Sequence, residues 1–336
     1  MLHPFSWWLA VCFFASITAA HSEEQRFTFT HPCMGTVFQI ILYAGNETQA
    51  KGAADAAFQR IDQINQLASD YLPESELSRC NRAPAQQPIA LSEDLFRLMA
   101  HSLTASRLTD GAFDITATYA IQQWRRAKRK QQLPSAEETA KAVSMTDWKA
   151  LVLNDKTHTL IKAKDGWMID LGGIGKGYAA DAALRVIREH GIAIALVAGS
   201  GDLAIGEAPP GKNGWDVALR TFEKEQDKDR LVHVSLKNCG CSTSGDLHQF
   251  LELEGKRYSH IVDPKTGLGL TNDIACTVIA PDATTSDVMA TAMCILGIEN
   301  GVKIAEATKS LKVRFTQLEE GVPAVKTSAD FPELRE

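Results

Sequence analysis

The chain has 336 residues, of which 45% are hydrophobic and 23% are charged, proportions that are typical of a globular protein and exclude a largely disordered chain. Lys and Arg total 35 against 41 Asp and Glu, which gives a net charge of -6 at pH 7. Because this balance supplies no overall positive field to hold a polyanion, we expect no nucleic-acid partner.

The N-terminal segment predicts an exported protein. Residues from Phe5 to Ala20 are almost all apolar and end in Thr18-Ala19-Ala20, which indicates a signal peptide over residues 1–20. The apolar stretch is shorter than the roughly 20 residues that span a bilayer. A lipoprotein signal ending at Cys12 fits less well, because the large Val11 precedes it. We therefore expect a soluble, exported protein.

The first half of the remaining chain is predicted to be mainly helical. A strand is predicted over Thr36–Tyr43, and apolar residues at helical spacing follow over Glu47–Tyr71. Ser92 starts a second predicted helix, with acidic residues in its first turn. Ser135 and Glu138 have the spacing of a capping box at the start of a further helix.

From residue 151 the pattern changes to short strands separated by Gly, Asp and Asn turns. Two predicted helices, Tyr178–His190 and Ser286–Leu296, interrupt the strands, so strands and helices do not alternate as they do in a doubly wound sheet. The sequence therefore predicts a single α+β domain over residues 26–325, followed by a C-terminal tail over residues 326–336. The predicted strands are Leu151–Leu153, Thr159–Lys162, Ile194–Ala198, Trp215–Leu219 and Val232–Leu236.

A glycine-rich segment with one lysine, Asp170 to Tyr178, lies between a predicted strand and a predicted helix. Glycines let backbone N–H groups approach a phosphate, the helix N-terminus adds partial positive charge, and Lys176 can neutralise an oxygen. The segment therefore predicts an anion site. It is not a P-loop, because Gly177 stands where that motif needs Ser or Thr, and a glycine-rich turn with a solvated lysine explains the pattern equally well.

Asp287 and Thr291 are four residues apart on an apolar predicted helix, so their side chains project from one face. A carboxylate and a hydroxyl are hard oxygen ligands that suit Mg²⁺. The alternative is that both side chains form hydrogen bonds within their own helix. Asp287 can accept hydrogen bonds from N–H groups of the first helical turn, and Thr291 can donate to a backbone carbonyl.

Two other segments carry candidate ligand-binding side chains. His260 lies between a strand and the tight turn at Pro264 and Gly267, where it can stack on a ring or transfer a proton, although a lone histidine is more often structural. The segment Gly111–Asp114 offers an aromatic ring and a carboxylate to a planar ligand, or it caps two helices.

Three further patterns have ordinary interpretations. The basic run Arg125–Lys130 is typical of a solvated helical face or loop, with an acidic partner or lipid as the alternative. The segment Gly199–Asp202 lacks the third glycine of a dinucleotide fingerprint and predicts a turn between strands. Six cysteines remain after the leader, and Cys239-Gly240-Cys241 has no second ligand pair at zinc spacing, so we expect buried thiols or an ordinary disulfide.

Taken in order, these segments resemble the FAD:protein FMN transferases of the ApbE family. Seven matching blocks run from about residue 31 to residue 297. Because all seven occur in the same order as in the family, a chance match is implausible. The blocks are His31–Thr36, Ser69–Tyr71 with Ser75–Asn81, Gly111–Asp114, Asp170–Asp181, Ser242–Asp246, Tyr258–Gly267 and Asp287–Gly297.

The resemblance implies an α+β, T-fold-like domain with a mainly antiparallel sheet, with FAD as its substrate and Mg²⁺ as its cofactor. It also implies a periplasmic location, with the protein either soluble or in peripheral contact with the inner membrane. It places the Mg²⁺ on Asp287, Thr291 and the backbone carbonyl of Gly173. His260, Asp287 and Thr291 are the residues implied for catalysis. The residues implied for flavin-nucleotide binding are Met34, Tyr71, Asn81, Ala112, Phe113, Asp114, Asp170, Lys176 and Val262.

The implied reaction transfers FMN from FAD to a threonine or serine hydroxyl of an acceptor flavoprotein and releases AMP. In this reaction Mg²⁺ and Lys176 neutralise the pyrophosphate, and a carboxylate or His260 accepts the hydroxyl proton. Two alternatives stay open: an Mg²⁺-dependent FAD pyrophosphatase that gives FMN and AMP, and a noncatalytic flavin-binding protein. The departures from the family pattern, among them Ser242 and the basic run after Trp124, leave the proposed metal and pyrophosphate groups in place.

Overall fold

The computed structural model describes residues 24–220, 231–245, 250–253, 255–319 and 322–335. The predicted signal peptide over residues 1–20 lies outside these ranges, as does Asp246 of one matching block. The helices of the described residues are α1 (Glu47–Ala68), α2 (Glu76–Arg82), α3 (Glu93–Leu108), α4 (Thr118–Lys130), α5 (Ala136–Ser144), α6 (Gly175–Glu189) and α7 (Ala283–Ala307), with a 3₁₀ turn at Trp148–Ala150. The strands are β1 (Gln25–Cys33), β2 (Thr36–Ala44), β3 (Ile89–Ala90), β4 (Leu151–Asn154), β5 (Thr159–Lys162), β6 (Ala195–Gly199), β7 (Asp202–Ile205), β8 (Trp215–Arg220), β9 (Leu231–Leu236), β10 (Cys239–Gly245), β11 (Phe250–Leu253), β12 (Lys256–Ser259), β13 (Ile274–Ala280), β14 (Lys312–Glu319) and β15 (Val322–Thr327).

An eight-stranded sheet forms the centre of the domain. Its strand order is β1-β2-β6-β7-β10-β13-β14-β15, and every neighbouring pair is antiparallel. Three smaller antiparallel sheets, β3-β5-β4, β8-β9 and β11-β12, accompany it. The predicted α+β class with a mainly antiparallel sheet is therefore confirmed.

The main core lies between one face of the central sheet and the helices α1, α6 and α7. The alternation of residues along β2 explains how one face of the sheet enters this core. Every second side chain of the strand points into the core, and the three that do so are fully buried: Phe38, Ile40 and Leu42. Helix α1 presents a stripe of small buried residues that includes Ala53 and Ala57. Because small side chains let two helices approach closely, α1 packs directly on α6.

The opposite face of the sheet is covered by the β8-β9 hairpin. Trp215 and Val217 of β8 are buried against this face, where the alternate residue Tyr43 of β2 also packs. The C-terminal segment joins the same cluster through Phe331 and Leu334. Strand β15 continues two residues past position 325, so the chain beyond the predicted domain boundary is packed on the domain.

Helix α7 is long and apolar enough to cross a membrane by length and composition. It is a core helix in this structure, because it packs against β10, β13 and α6 and buries residues on several sides. Its helical conformation is interrupted at Gly297, whose φ of 74° suits glycine. The predicted helix over Ser286–Leu296 forms the first part of α7.

Several predicted element boundaries are confirmed, and two helices, α2 and α4, were not predicted. Helix α1 ends at Ala68, earlier than predicted, because Ser69 already has extended backbone angles. The short helix α2 follows, capped by the Ser75 side chain. Ser92 caps the next helix as predicted, and the capping box at Ser135 is formed in full. No disulfide joins the cysteines of the described residues.

Candidate active site

The loop before α6 is held in place by two polar side chains, of which Asn81 is half-buried and Lys162 is fully buried. Asn81 exchanges two hydrogen bonds with the backbone of Ile169: its amide donates to the carbonyl at 2.9 Å, and its carbonyl oxygen accepts from the N–H at 2.8 Å. Lys162 is fully buried and donates to the backbone carbonyl of Asn81 at 2.9 Å. The side chain of Asn81 is therefore occupied in fixing the chain that leads to Asp170.

Asp170 is the first polar residue of this loop, and one side chain and one backbone group bind its carboxylate. One oxygen accepts from the N–H of Gly172 at 2.7 Å, and the other accepts from Arg125 at 2.7 Å. Burial raises the pKa of Asp170, and the Arg125 guanidinium opposes that shift. Arg125 also donates to Asp70 at 2.6 Å and lies 4.7 Å from the ring centre of Tyr71. Tyr71 is 72% exposed and is thus held by a cation–π contact at the protein surface.

The N-terminus of α6 and the first turns of α7 meet at Gly177 and Asp287. The N–H of Gly177 donates to a carboxylate oxygen of Asp287 at 2.8 Å. A Cβ atom at position 177 would lie 2.2 Å from the carbonyl oxygen of Ala283 and 2.7 Å from the Cβ of Asp287. Only glycine fits this crossing, so the absence of the P-loop hydroxyl at this position has a steric reason.

Lys176 joins Asp287 to a third carboxylate. Its ammonium lies 2.5 Å from Asp202 and 3.8 Å from Asp287, and both carboxylate side chains are almost fully buried. Burial raises the pKa of Asp287 to about 7, with Asp202 adding to the shift and Lys176 opposing it. Burial alone would lower the pKa of Lys176, but the two carboxylates outweigh it, so the pKa of Lys176 is raised and the lysine stays charged.

Thr291 lies one helical turn after Asp287, beside the glycine loop. Its hydroxyl is 3.3 Å from that of Ser244, and a Cβ at Gly173 would lie 3.7 Å from it. Asp287 and Thr291 thus place a carboxylate and a hydroxyl beside the backbone of the glycine loop, and these are hard oxygen donors, which is the ligand type that Mg²⁺ takes. The raised pKa of Asp287 also indicates a buried negative charge with incomplete compensation. The residues therefore fit a bound Mg²⁺.

A cavity of about 520 Å³ adjoins Lys176. The β6–β7 turn, with Gly201 and Asp202, and the C-terminal end of β10, with Ser244, form parts of its wall. His260 lines the same cavity. The structure thus brings His260 and Lys176 to one cavity, and Lys176 contacts Asp287 directly.

Two more predicted residues lie beside the glycine loop. A Cβ at Gly173 would be 3.0 Å from the ring of Phe113, and a Cβ at Gly175 would be 3.3 Å from the terminal methyl of Met34. Met34 reaches this place from the β1–β2 turn, where its φ is 52°. Both side chains therefore line the loop that carries Lys176.

The remaining predicted residues are engaged within the protein. Asp114 accepts hydrogen bonds from the backbone N–H and hydroxyl of Thr116 and from the N–H of Trp148, at 2.8, 2.6 and 3.0 Å. Burial raises the pKa of Asp114. Ala112 is buried, and Val262 lies in the apolar cluster around Trp124.

Sequence reasoning missed two site residues. The segment ending in Asp202 forms the predicted turn between strands, but the Asp202 side chain pairs with Lys176. The basic run on α4 is not simply a solvated face, because Arg125 is half-buried and bonds to both Asp70 and Asp170. The sequence did carry a local signal in each case: Asp202 follows small residues in a predicted turn, and Arg125 follows Trp124. Their partners, Lys176 for Asp202 and Asp70 for Arg125, lie too far away in sequence to be assigned from such a signal.

A sequence model described as the ApbE family matches residues 34–315, a span that contains the glycine loop, Lys176 and both proposed metal-binding side chains. This chain belongs to the ApbE family. A relative from Escherichia coli K12, named FAD:protein FMN transferase, is 31% identical over 81% of this chain and 78% of its own length. Another of that name from Haemophilus influenzae is 27% identical over 98% of this chain and 97% of its own length.

Solved structures of ApbE proteins share the fold. The flavin transferase ApbE from Vibrio cholerae has a TM-score of 0.84 at 24% identity and covers 92% of this chain and 99% of its own. The ApbE protein from Thermotoga maritima has a TM-score of 0.78 at 27% identity, with 91% and 97% covered. The antiparallel sheet and the helices that position the glycine loop are therefore the ApbE fold.

Proposed function

We propose that this ApbE-family chain is an Mg²⁺-dependent FAD:protein FMN transferase. It would move FMN from FAD to a threonine or serine hydroxyl of an acceptor flavoprotein and release AMP. The names of its relatives support the transferase class. The observation that carries the proposal is the position of Lys176 at the N-terminus of α6, between Asp202 and Asp287 and on the wall of a cavity that His260 also lines.

The protein's own groups give this site its selectivity for a pyrophosphate. The N-terminus of α6 and the ammonium of Lys176 supply positive charge to the phosphate oxygens. Asp287, Thr291 and the carbonyl of Gly173 would hold Mg²⁺, which when bound withdraws negative charge from the bridging phosphates. Asp202 and Asp287 would repel the phosphates of the substrate, and the single positive charge of Lys176 offsets only part of their negative charge. A bound Mg²⁺ would offset the rest.

In the proposed reaction the acceptor hydroxyl oxygen forms a bond to the FMN phosphorus. The bond from that phosphorus to the bridging oxygen breaks, and AMP leaves with the bridging oxygen and its electron pair. The hydroxyl proton passes to a base, for which we propose His260 because it lines the cavity. Such transfers depend mainly on positioning and charge stabilisation, which the fixed loop between Asp170 and Lys176 provides.

We propose that the flavin lies near Tyr71, Phe113 and Met34. Tyr71 is exposed and steadied by Arg125, and the other two side chains contact the glycine loop. Asp170, held by Arg125, would orient the same end of the substrate. Asn81 and Asp114 would act by shaping the loop and the segment around Phe113, since their polar atoms already bind protein groups.

We also propose that the protein acts outside the inner membrane, on an exported or membrane-bound acceptor. The apolar N-terminal sequence supports this location. Fractionation of cells that express the full chain would test it: recovery of the processed protein in the periplasm supports export, and an unprocessed cytoplasmic protein contradicts it.

The activity is tested by incubating the protein with FAD, Mg²⁺ and a purified exported flavoprotein domain. We expect a fluorescent acceptor band that survives denaturation, that disappears with a chelator, and that is lost when the acceptor threonine is replaced by alanine. Asp287→Ala should abolish labelling, whereas Asp55→Ala, at an exposed helical site, should not. Release of FMN and AMP without a labelled acceptor would contradict the transferase and identify a pyrophosphatase. FAD binding without turnover would identify a flavin-binding protein.

A further inference from the structure

A second group of metal-ligating side chains lies at the edge of the central sheet. His31 and Cys33 are two residues apart on the edge strand β1, so both point to the face that α1 covers. Asp62 of α1 lies one turn after Phe58, whose ring centre is 5.1 Å from that of His31. The helix therefore brings a carboxylate to an imidazole and a thiol.

The three donor atoms are close enough to share one ion. The Nε2 atom of His31 lies 2.9 and 3.1 Å from the two carboxylate oxygens of Asp62. This nitrogen, a carboxylate oxygen and the Cys33 sulfur all lie within 4.8 Å of one another. Ligands of one tetrahedral zinc ion are roughly 3.3–3.8 Å apart, given bond lengths of 2.0–2.3 Å. Small side-chain rotations would bring the three atoms to those separations.

The chemistry of this group differs from that of the proposed Mg²⁺ site. Thiolate and imidazole are soft or borderline ligands that favour zinc-type ions, whereas carboxylate and hydroxyl oxygens favour Mg²⁺. Burial and the hydrogen bond to Asp62 raise the pKa of the Cys33 thiol to about 12, so the thiol is protonated without a metal. A bound ion would displace that proton to solvent.

We propose that His31, Cys33 and Asp62 form a binding site for a zinc-type divalent ion, with the fourth position open to water. The ion would join β1 to α1 just before the β1–β2 turn. In that turn Cys33 pairs with Thr36, and Met34 projects toward the glycine loop. The site would therefore fix the hairpin that positions Met34. It does not depend on the proposed transferase reaction.

Co²⁺ is the probe of choice, because a thiolate bound to cobalt absorbs in the near ultraviolet. The full chain, reduced and held in excess Mg²⁺ to saturate the oxygen site, is titrated with CoCl₂. We expect a thiolate-to-cobalt band that saturates at one ion per chain and is removed by Zn²⁺. Absence of the band in the unmodified protein would overturn the proposal.

Matched variants assign the ligands. Cys33→Ser should eliminate the band, whereas Cys239→Ser, at the other half-buried cysteine of the described residues, should retain it. His31→Gln and Asp62→Asn should weaken Co²⁺ binding at least about tenfold, since even outer-sphere partners of metal ligands contribute that much. A band that survives Cys33→Ser, or that is unchanged in both other variants, would contradict the site. Zn²⁺ should also raise the melting temperature of the unmodified protein and of Cys239→Ser but not of Cys33→Ser.

Discussion

At the scale of single residues, Lys176 has the clearest electrostatic role. Its ammonium lies between two buried carboxylates and beside the cavity, so removal of its charge leaves Asp202 and Asp287 uncompensated. We expect Lys176→Met to lower kcat/KM for FAD by about 10²–10³-fold, the usual effect of losing one group that stabilises charge in a transition state. Steady-state kinetics of AMP release at saturating Mg²⁺ would measure it.

The control for this variant is Lys51→Met. Lys51 forms an exposed i,i+4 pair with Asp55 on α1, so its charge has little energetic weight, and activity should stay within about twofold of the parent protein. Lys176→Arg should recover part of the lost activity, because it restores the charge. A Lys176→Met enzyme with more than half of the parent kcat/KM would refute the proposed role.

At the scale of elements, the crossing of α6 and α7 determines whether the site can form. The N–H of Gly177 binds Asp287, and the space for a side chain at position 177 is filled by the backbone of α7. We expect Gly177→Ala to destabilise the protein by about 1–3 kcal/mol, because α6 and α7 must separate. Urea unfolding would measure this, and the affinity for Mg²⁺ should fall as well.

Gly52→Ala is the matched substitution. Gly52 lies in α1 and is exposed, and apart from its chain neighbours and the backbone of its own helix no atom lies within 4 Å of the place that an alanine methyl group would take. Alanine should therefore stabilise the helix by about 0.5–1 kcal/mol. Changes of opposite sign in the free energy of unfolding for Gly177→Ala and Gly52→Ala would support the tight α6–α7 contact. Equal effects would show that the crossing does not depend on the size of residue 177.

Elements also explain which parts of the site could be predicted. The pair Asp287 and Thr291 follows from the helical period, and Lys176 from the glycine-rich segment before a helix, because both signals are local. The partners Asp202 and Arg125 could not be assigned in this way. The Lys176–Asp202 pair spans 26 residues and the Arg125–Asp70 pair spans 55, so each depends on how distant elements pack.

Tertiary contacts also decide between interpretations that the sequence leaves open. Asp114 caps its own turn and the N–H of Trp148, 34 residues away, which spacing could not distinguish from ligand binding. The antiparallel sheet is expected from the short strands and the family resemblance. Its strand order, in which β2 pairs with β6, brings together chain segments that are distant in sequence and has no local signal.

At the scale of the whole molecule, the carboxyl groups whose pKa is raised by burial work against folding when they ionise. Burial raises the pKa above the ordinary value of 3.8 for Asp287, Asp170 and Asp114. It does the same for Asp181 of α6, which accepts hydrogen bonds from the N–H groups of Ala283 and Thr284 at the start of α7. Between the unfolded and folded pKa values, the folded chain binds more protons than the unfolded chain. The free energy of unfolding therefore falls as pH rises through that interval.

We expect the metal-free protein to lose stability between about pH 5 and pH 7, mainly through Asp287, whose folded pKa is about 7. The slope should be on the order of 1 kcal/mol per pH unit. Asp94, whose pKa is lowered, acts in the opposite direction but below about pH 4, outside this interval. Urea unfolding in a chelator at pH 5, 6 and 7 would measure the slope. Asp287→Asn should flatten the pH dependence of the free energy of unfolding. Mg²⁺ should raise stability most at pH 7, where the ion competes least with a proton for Asp287. An unchanged slope in Asp287→Asn would show that this carboxyl group is not the one that titrates.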